Sequence, residues 1–333
     1  MRPIRLTIDS PTSLRYAPRH LLVGGDSMRL KLCLLLLFST TIAFGQPAIK
    51  ITLLGTAPGP PVRLKQYQTT TLVEANGEKL LFDCGRGVLL RLTEAGVPIE
   101  SVDKLFITHL HSDHVIDIPD LLLTPWANRS PRKVPLQVWG PDGTVNMMNH
   151  LEQAFAFDIH IRRDVDEKFM PEGIKVSAHD IKQGVIYESN GVKVTAFLVD
   201  HGPVKPAFGY RVDFGGHSVA LSGDTRPTDN LVQFSKGVDV LIHETLDPDR
   251  FKSAAFQQTK EQQAAIINHH TMPEQAGEIF ARVKPKLAVF SHAEQAPTIL
   301  DKARKTYSGP MELGEDLMVI EIGDTVVVHR PTK

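Results

Sequence analysis

Thr108-His109-Leu110-His111-Ser112-Asp113-His114 sets four metal-capable side chains in the pattern H-x-H-x-D-H. Just upstream, Lys104-Leu105-Phe106-Ile107 is a short apolar run of the kind that forms a buried strand. Downstream, Asp117-Ile118-Pro119-Asp120 carries a proline and acids where a helix would start, and the helix is expected to run to about Asn128. The motif therefore occupies a strand-to-helix loop. A loop can turn alternate imidazoles toward one point, whereas in a helix residues two apart face different sides. Imidazole and carboxylate together suit Zn²⁺ and similar first-row metals. His109 and His111 can share one ion while Asp113 and His114 reach a second. The plainer reading is a solvated histidine-rich loop, and partners elsewhere in the chain weigh against it.

Those partners recur with one grammar, an apolar strand ending in a polar residue. Val192–Val199 runs into Asp200-His201-Gly202-Pro203. A hairpin of Phe208–Phe214 and His217–Leu221 turns at Gly215-Gly216 and delivers Ser222-Gly223-Asp224-Thr225. Val238–Ile242 ends in His243-Glu244-Thr245, and Lys286–Phe290 in Ser291-His292. Earlier, Thr69–Val73 and Lys79–Phe82 form a hairpin through Asn76-Gly77 and lead to Asp83. Asp83 precedes an expected helix at 88–92, so it can orient a metal ligand or cap the helix. Polar residues gathered at strand ends of an α/β fold make a converging site.

Around this framework, helices are expected over about 144–157, 230–235, 251–268 and 297–307, with another starting at Pro273. A hairpin of Leu317–Ile322 and Thr325–His329 closes the chain. Residues 158–183 show weak periodicity and are expected as short strands and loop on a rim, with His160 and His179 as surface histidines. No repeat and no second core emerge, so one α/β domain over about 46–333 is expected. The 42% hydrophobic share supports a core of that size.

The N-terminal residues have a different grammar. Met28-Arg29-Leu30-Lys31, the apolar run Leu32–Phe38 and Ala43-Phe44-Gly45 read as charged start, apolar segment and cleavage site. A signal peptide over 28–45 is expected, with 1–27 an upstream extension or a long n-region. The apolar run is short for a membrane span. The mature protein is thus expected to be exported, periplasmic or secreted, with no stable membrane anchor. Without residues 1–45 the formal charge moves from −1 to −5, and Cys84 is the lone cysteine. No intrachain disulfide is available, and an acidic protein is a poor polyanion binder.

Several pieces together carry a resemblance. They are Leu54-Gly55-Thr56, Phe82-Asp83-Cys84-Gly85, Thr108–His114, His201-Gly202-Pro203, Phe208-Gly209-Tyr210, Ser222–Pro227, His243-Glu244-Thr245, His270-Thr271 with Glu274-Gln275-Ala276, and Ser291-His292. In this order, over about 48–329, the chain resembles the metallo-β-lactamase fold superfamily. Within it, the chain is most similar to ribonuclease Z and arylsulfatase-like hydrolases. The resemblance implies a single-domain αββα four-layer sandwich and two Zn²⁺ per chain. It implies that His109, His111 and His201 hold one ion, that Asp113, His114 and His292 hold the other, and that Asp224 bridges them. A bridging water would then ionise near neutral pH and attack the substrate. The resemblance also makes His270 the proton donor or transition-state stabiliser, chosen over its neighbour His269 because it directly precedes Thr271. Asp113 would help orient the nucleophile, and Asp83, His243 and Glu244 would support the ligands, although a buried structural histidine is an equal reading of His243.

The chain departs from ribonuclease Z in one respect. That family carries a protruding tRNA-gripping arm between the positions matching His201 and Asp224, where this chain has room only for the hairpin. No Lys/Arg cluster stands in for it. The expectation is therefore an exported dinuclear zinc hydrolase of a small phosphoester, sulfate ester or related ester, with no nucleic-acid partner and a possible homodimer. The competing functions are a tRNA 3′-end endonuclease, a β-lactamase and a non-catalytic periplasmic metal-binding module. The β-lactamase reading is disfavoured because those enzymes lack the His270-Thr271 element. Pocket walls are expected from 56–68, 124–133, 158–190 and 246–262. Trp126 and Phe256 are candidate lining residues there, with core packing the stronger expectation for each.

Overall fold

The structure is a computed structural model that describes residues 48–253 and 255–331. The signal peptide and upstream extension expected over 1–45 lie outside the described residues. Among the described residues, no helix is long and apolar enough to cross a membrane.

The strands in chain order are β1 (Ile49–Gly55), β2 (Thr70–Ala75), β3 (Glu78–Phe82), β4 (Lys104–Phe106), β5 (Leu136–Gly140), β6 (Val176–Asp180), β7 (Gly184–Ser189), β8 (Val192–His201), β9 (Val204–Phe214), β10 (His217–Leu221), β11 (Val240–His243), β12 (Leu287–Phe290), β13 (Met311–Leu313), β14 (Met318–Ile322) and β15 (Val326–His329). They form two sheets, ordered β15-β14-β1-β2-β3-β4-β5-β6 and β13-β12-β11-β10-β9-β8-β7. The helices are α1 (Val88–Glu94), α2 (Ser112–Val115), α3 (Ile118–Leu123), α4 (Thr144–Ala154), α5 (Ala156–His160), α6 (Asp229–Phe234), α7 (Lys260–Ile267), α8 (Pro273–Val283) and α9 (Thr298–Ala303). The expected single-domain αββα sandwich is what forms.

Strand sequences explain the four layers. In β3, Leu80 and Phe82 face the opposite sheet while Leu81 joins the cluster under the helices. In β10, Val219 and Leu221 lie between the sheets and Ala220 lies on the outer face. In β12, Leu287 and Val289 point inward, and Ala288 and Phe290 pack beneath α8. A sheet covered on both faces needs apolar residues at successive positions rather than at alternate ones. Each fully buried Leu, Val or Phe contributes roughly 1.5–3 kcal/mol. The β2–β3 hairpin turns at Asn76 and Gly77, both with positive φ, as its two-residue turn requires.

Three sequence expectations shift. Helix α3 stops at Leu123 rather than near Asn128. Pro125 has no N–H to give the Leu121 carbonyl four residues back. Arg132 fills the gap, its guanidinium donating to the carbonyls of Leu121, Leu122 and Gly173 at 2.8–3.2 Å. Residues 158–165 continue as helix instead of rim strands and loop. Only Ile159 is buried there, and ion pairs such as Arg162–Asp158 cover the outer face, so no apolar stripe marks the helix. Between 251 and 268 the α-helix covers only Lys260–Ile267, which buries no residue and is held by a Thr259–Gln262 capping box. Edge strands β7 and β13 carried no clear strand signal, because an edge position packs against a neighbour on one side only.

Candidate active site

The site lies where strands end. Residues 108–114 follow β4, His201 ends β8, Asp224 follows β10, Glu244 follows β11 and His292 follows β12. Carboxyl ends of strands are where open α/β sheets place ligands, since the loops there converge. Backbone shape aims one of these residues. Gly223 has φ +59, and a Cβ on it would sit 2.5 Å from the Phe208 carbonyl oxygen, so only glycine lets the chain pass here to Asp224.

His109, His111 and His201 form the first donor group. His111 Nδ1 lies 3.0 Å from His109 Nε2 and 3.3 Å from His201 Nε2. Nitrogens about 2.0–2.1 Å from one tetrahedral zinc stand about 3.3 Å apart, so the spacing fits. His201 Nδ1 donates to the His269 carbonyl at 2.9 Å, which leaves Nε2 as the lone-pair nitrogen. Burial, the largest influence on all three rings, pushes their pKa values down and keeps them neutral, as metal ligation requires.

Asp113, His114 and His292 form the second group. Asp113 Oδ2 lies 3.2 Å from His292 Nε2 and 3.6 Å from His114 Nε2. His292 Nε2 is also 3.2 Å from the Gly59 N–H. Asp83 supports the group from beneath. Its carboxylate takes the Thr108 N–H and hydroxyl at 2.8–3.1 Å, and its Oδ2 lies 2.8 Å from His114 Nδ1. That contact fixes the His114 ring with Nε2 facing inward. Burial alone would raise the Asp113 carboxyl, but the charges of His114 and His292 outweigh it and hold the group below its ordinary range.

Asp224 stands between the groups. Its Oδ2 is 3.4 Å from His114 Nε2 and 3.9 Å from His109 Nε2, and its Oδ1 is 3.4 Å from His292 Nδ1. Asp224 Oδ1 and His114 Nε2 are buried without a hydrogen-bond partner among the described residues. Buried groups left unpaired cost about 1–3 kcal/mol each, so two of them within a set of seven convergent donors fit a cation site. The donor set, five imidazoles and two carboxylates in overlapping clusters, accommodates one or two metal ions.

His270 borders the same space. Its Nδ1 is 3.2 Å from Glu244 Oε1 and 4.0 Å from Asp224 Oδ2. Glu244 Oε1 also accepts the N–H groups of Thr225 and Thr271 at 3.0 and 3.1 Å. Burial opposes charge on His270, but Glu244 and then Asp224 prevail and raise it to about 9. The adjacent His269 goes the other way, to about 4, through burial and neighbouring imidazoles. His243 contacts none of the seven donors through a hydrogen bond. Its Nδ1 lies 2.5 Å from the Glu244 carbonyl, and its ring meets Phe280 edge-on in the helical core. It takes the structural reading.

A cleft of about 590 Å³ opens over the donors. Its walls come from Pro58–Pro61 and from Leu246, Arg250, Phe251, Phe256 and Gln258, within two of the four expected segments. Residues 124–133 and 158–190 do not line it. Trp126 and Arg132 are buried instead beneath the helical layer, with Trp126 Nε1 donating to the Met170 carbonyl. Phe256 does line the cleft. The sequence marked Phe251 and Arg250, which stand beside it, only as part of a segment, since isolated loop residues have no periodicity to single them out.

Residues 78–293 match the family model described as Beta-lactamase superfamily domain. A ribonuclease Z from Mycobacterium sp. (strain KMS) is 35% identical over 289 residues, covering 84% of this chain and 98% of that protein. The crystal structure of the metallo-β-lactamase fold protein YhfI from Bacillus subtilis superposes with TM-score 0.63 at 21% identity, covering 81% and 98% of the two chains. Human tRNase Z, short form, superposes with TM-score 0.60 at 23% identity, covering 82% and 99%. These relatives correct the expectation that nucleic acid is excluded. That expectation rested on the short connection from His201 to Asp224, which the β9–β10 hairpin does fill. Yet the Mycobacterium protein, named a ribonuclease, aligns with this chain nearly end to end, so the length of that connection carries no argument against RNA. The sandwich, its donor clusters and these relatives agree that the chain belongs to the metallo-β-lactamase superfamily, as a metal-dependent hydrolase with ribonuclease Z homology.

Proposed function

We propose that the protein is a dinuclear zinc phosphodiesterase of the ribonuclease Z type, cutting precursor tRNA on its 3′ side. The observation that carries this reading is the pairing of the seven-donor cluster with a Glu244-held His270, in a chain 35% identical to a ribonuclease Z over 98% of that protein. His109, His111 and His201 would hold one ion, Asp113, His114 and His292 the other, and Asp224 both. When bound, the zinc pair acidifies a water and neutralises charge on a phosphoryl group.

The chain's own residues perform the remaining tasks. Asp113 and Asp224 stay ionised and so present anionic oxygens to the metal side of the cleft. Asp83 keeps the His114 lone pair aimed inward. Glu244 binds His270 through Nδ1, which turns Nε2 and its proton toward the cleft. His270 then donates that proton to the departing ribose oxygen, the role of a general acid. Burial on most sides excludes bulk water and strengthens each of these contacts.

A second reading, hydrolysis of a small aryl phosphoester or sulfate ester, draws on the apolar wall of Phe251, Phe256 and Leu246. Export through residues 28–45 belongs to either reading, and fractionation of the native host tests it. The deciding experiment purifies residues 46–333, counts zinc, and assays precursor tRNA, bis-aryl phosphate and aryl sulfate with and without chelator. Chelator-sensitive tRNA cleavage, lost about 10²- to 10⁴-fold in His270→Ala at unchanged zinc content, is the expected result. Turnover of a small ester with intact tRNA would replace the first reading by the second.

A further inference from the structure

The outer wall of the cleft is built from groups that the hydrolytic machinery does not use. Phe251 and Phe256 stand edge-to-face, with ring centroids 5.4 Å apart at 77°. The Arg250 guanidinium lies 4.9 Å from the Phe256 ring centre and 5.7 Å from that of Phe251. Glu294 anchors it, accepting from Arg250 Nη2 at 2.9 Å while it also holds Arg63 in a two-point contact at 2.7 and 2.9 Å. The segment is tied at its end by the Thr259–Gln262 capping box. Two buried polar atoms on this wall have no partner among the described residues, a donor at Arg250 Nε and an acceptor at Gln258 Oε1.

From this wall we infer a nucleobase subsite that receives the base next to the scissile phosphodiester. The inference rests on the ribonuclease reading above and names where that substrate is gripped. Three observations favour a base over a plain aryl group. The cleft, at about 590 Å³, is continuous with His111, Asp113 and His270 and exceeds what one aryl ester fills. Two perpendicular aromatic rings offer a stacking face with an edge beside it, the platform on which single-stranded nucleic acid is held. The unpaired donor and acceptor leave hydrogen-bonding capacity on this wall that a nucleobase, which carries both kinds of group, can use and an unsubstituted aryl ring cannot. An occupant lacking either kind of group leaves their desolvation uncompensated, which disfavours it.

The test uses the zinc-loaded enzyme and three RNA substrates, a precursor tRNA and two versions of it with an abasic nucleotide on the 5′ or on the 3′ side of the scissile linkage. Phe256→Ala is expected to lower kcat/KM on the intact substrate about tenfold, and on the appropriate abasic substrate by no more than about twofold. Phe256→Tyr restores stacking and recovers the intact substrate, which separates loss of the ring from loss of the loop's shape. An equal loss on the intact and both abasic substrates, or no loss on any of them, overturns the subsite. A parallel binding arm treats the protein with chelator and follows quenching of 2-aminopurine placed beside the linkage in the same RNA. Quenching in the wild type that disappears in Phe256→Ala supports the subsite even where no RNA is cut, an outcome that would sink the ribonuclease reading alone. RNA cleavage with no quenching and no base dependence sinks the subsite alone.

Discussion

Glu244→Gln isolates how the His270 proton is held. Glu244 Oε1 accepts from Thr225 N, Thr271 N and His270 Nδ1 at 3.0–3.2 Å. A glutamine oxygen still accepts from the two backbone N–H groups, so the loop stays in place, but the negative charge beside His270 is gone. Burial works against the imidazolium, and only Asp224 then favours it. The folded-state pKa of about 9 should fall toward or below the ordinary 6.5. The sign follows from proton binding. A histidine raised from 6.5 to about 9 holds its proton in the folded state where the unfolded chain has lost it. Its contribution, roughly 3 kcal/mol at 1.36 kcal/mol per unit, is fully present below pH 6.5 and disappears as pH rises through 9. In Glu244→Gln this contribution should be absent throughout. Urea unfolding of the chelator-treated protein at pH 6 and pH 9.5 measures it as a difference of differences, in which other titrating groups cancel. The wild type should lose about 2–3 kcal/mol more than the variant across that interval. Parallel losses within about 0.5 kcal/mol would refute the assignment of the raised pKa to Glu244.

Two further perturbations act at other points of the frame. Asp83→Asn keeps an acceptor for the Thr108 N–H but removes the charge that holds His114 Nδ1, so zinc affinity should weaken about 10- to 100-fold in competition with a chromophoric chelator. Unchanged affinity would mean that His114 is oriented without it. Glu78→Ala, at the start of β3, should cost about 2–4 kcal/mol at pH 7, because the carboxylate ties Lys104 of its own sheet to Tyr187, Ser189 and Asn190 of the other. Burial raises the Glu78 carboxyl, but these contacts outweigh it and the net shift is downward. The contribution is therefore present above about pH 4.5 and lost as pH falls further. Urea midpoints at pH 7 and pH 4 check this, and an unchanged gap between wild type and variant at the two pH values would contradict it.

Much of this protein could be read from local pattern. The H-x-H-x-D-H loop, the apolar runs before His201, Asp224 and His292, and the Asn76-Gly77 turn each carry their signal within a few residues. Strands buried on both faces have continuous apolar runs, and metal ligands are few residue types at strand ends. Those constraints are written into adjacent positions, so the sandwich and the seven donors were legible. What the sequence missed depends on contacts between distant segments. The early end of α3 is completed by Arg132, which reaches the carbonyls that Pro125 cannot serve. His243 could face the ligands or the core, and only its packing against Phe280 decides. The charge on His270 comes from Glu244, 26 residues away, and the cleft wall from Arg250, Phe251 and Phe256 meeting Glu294 across the fold. Electrostatics and burial depend on distance in space rather than along the chain, so residue types determined which atoms could serve, and tertiary packing decided which of them face the substrate and in what protonation state.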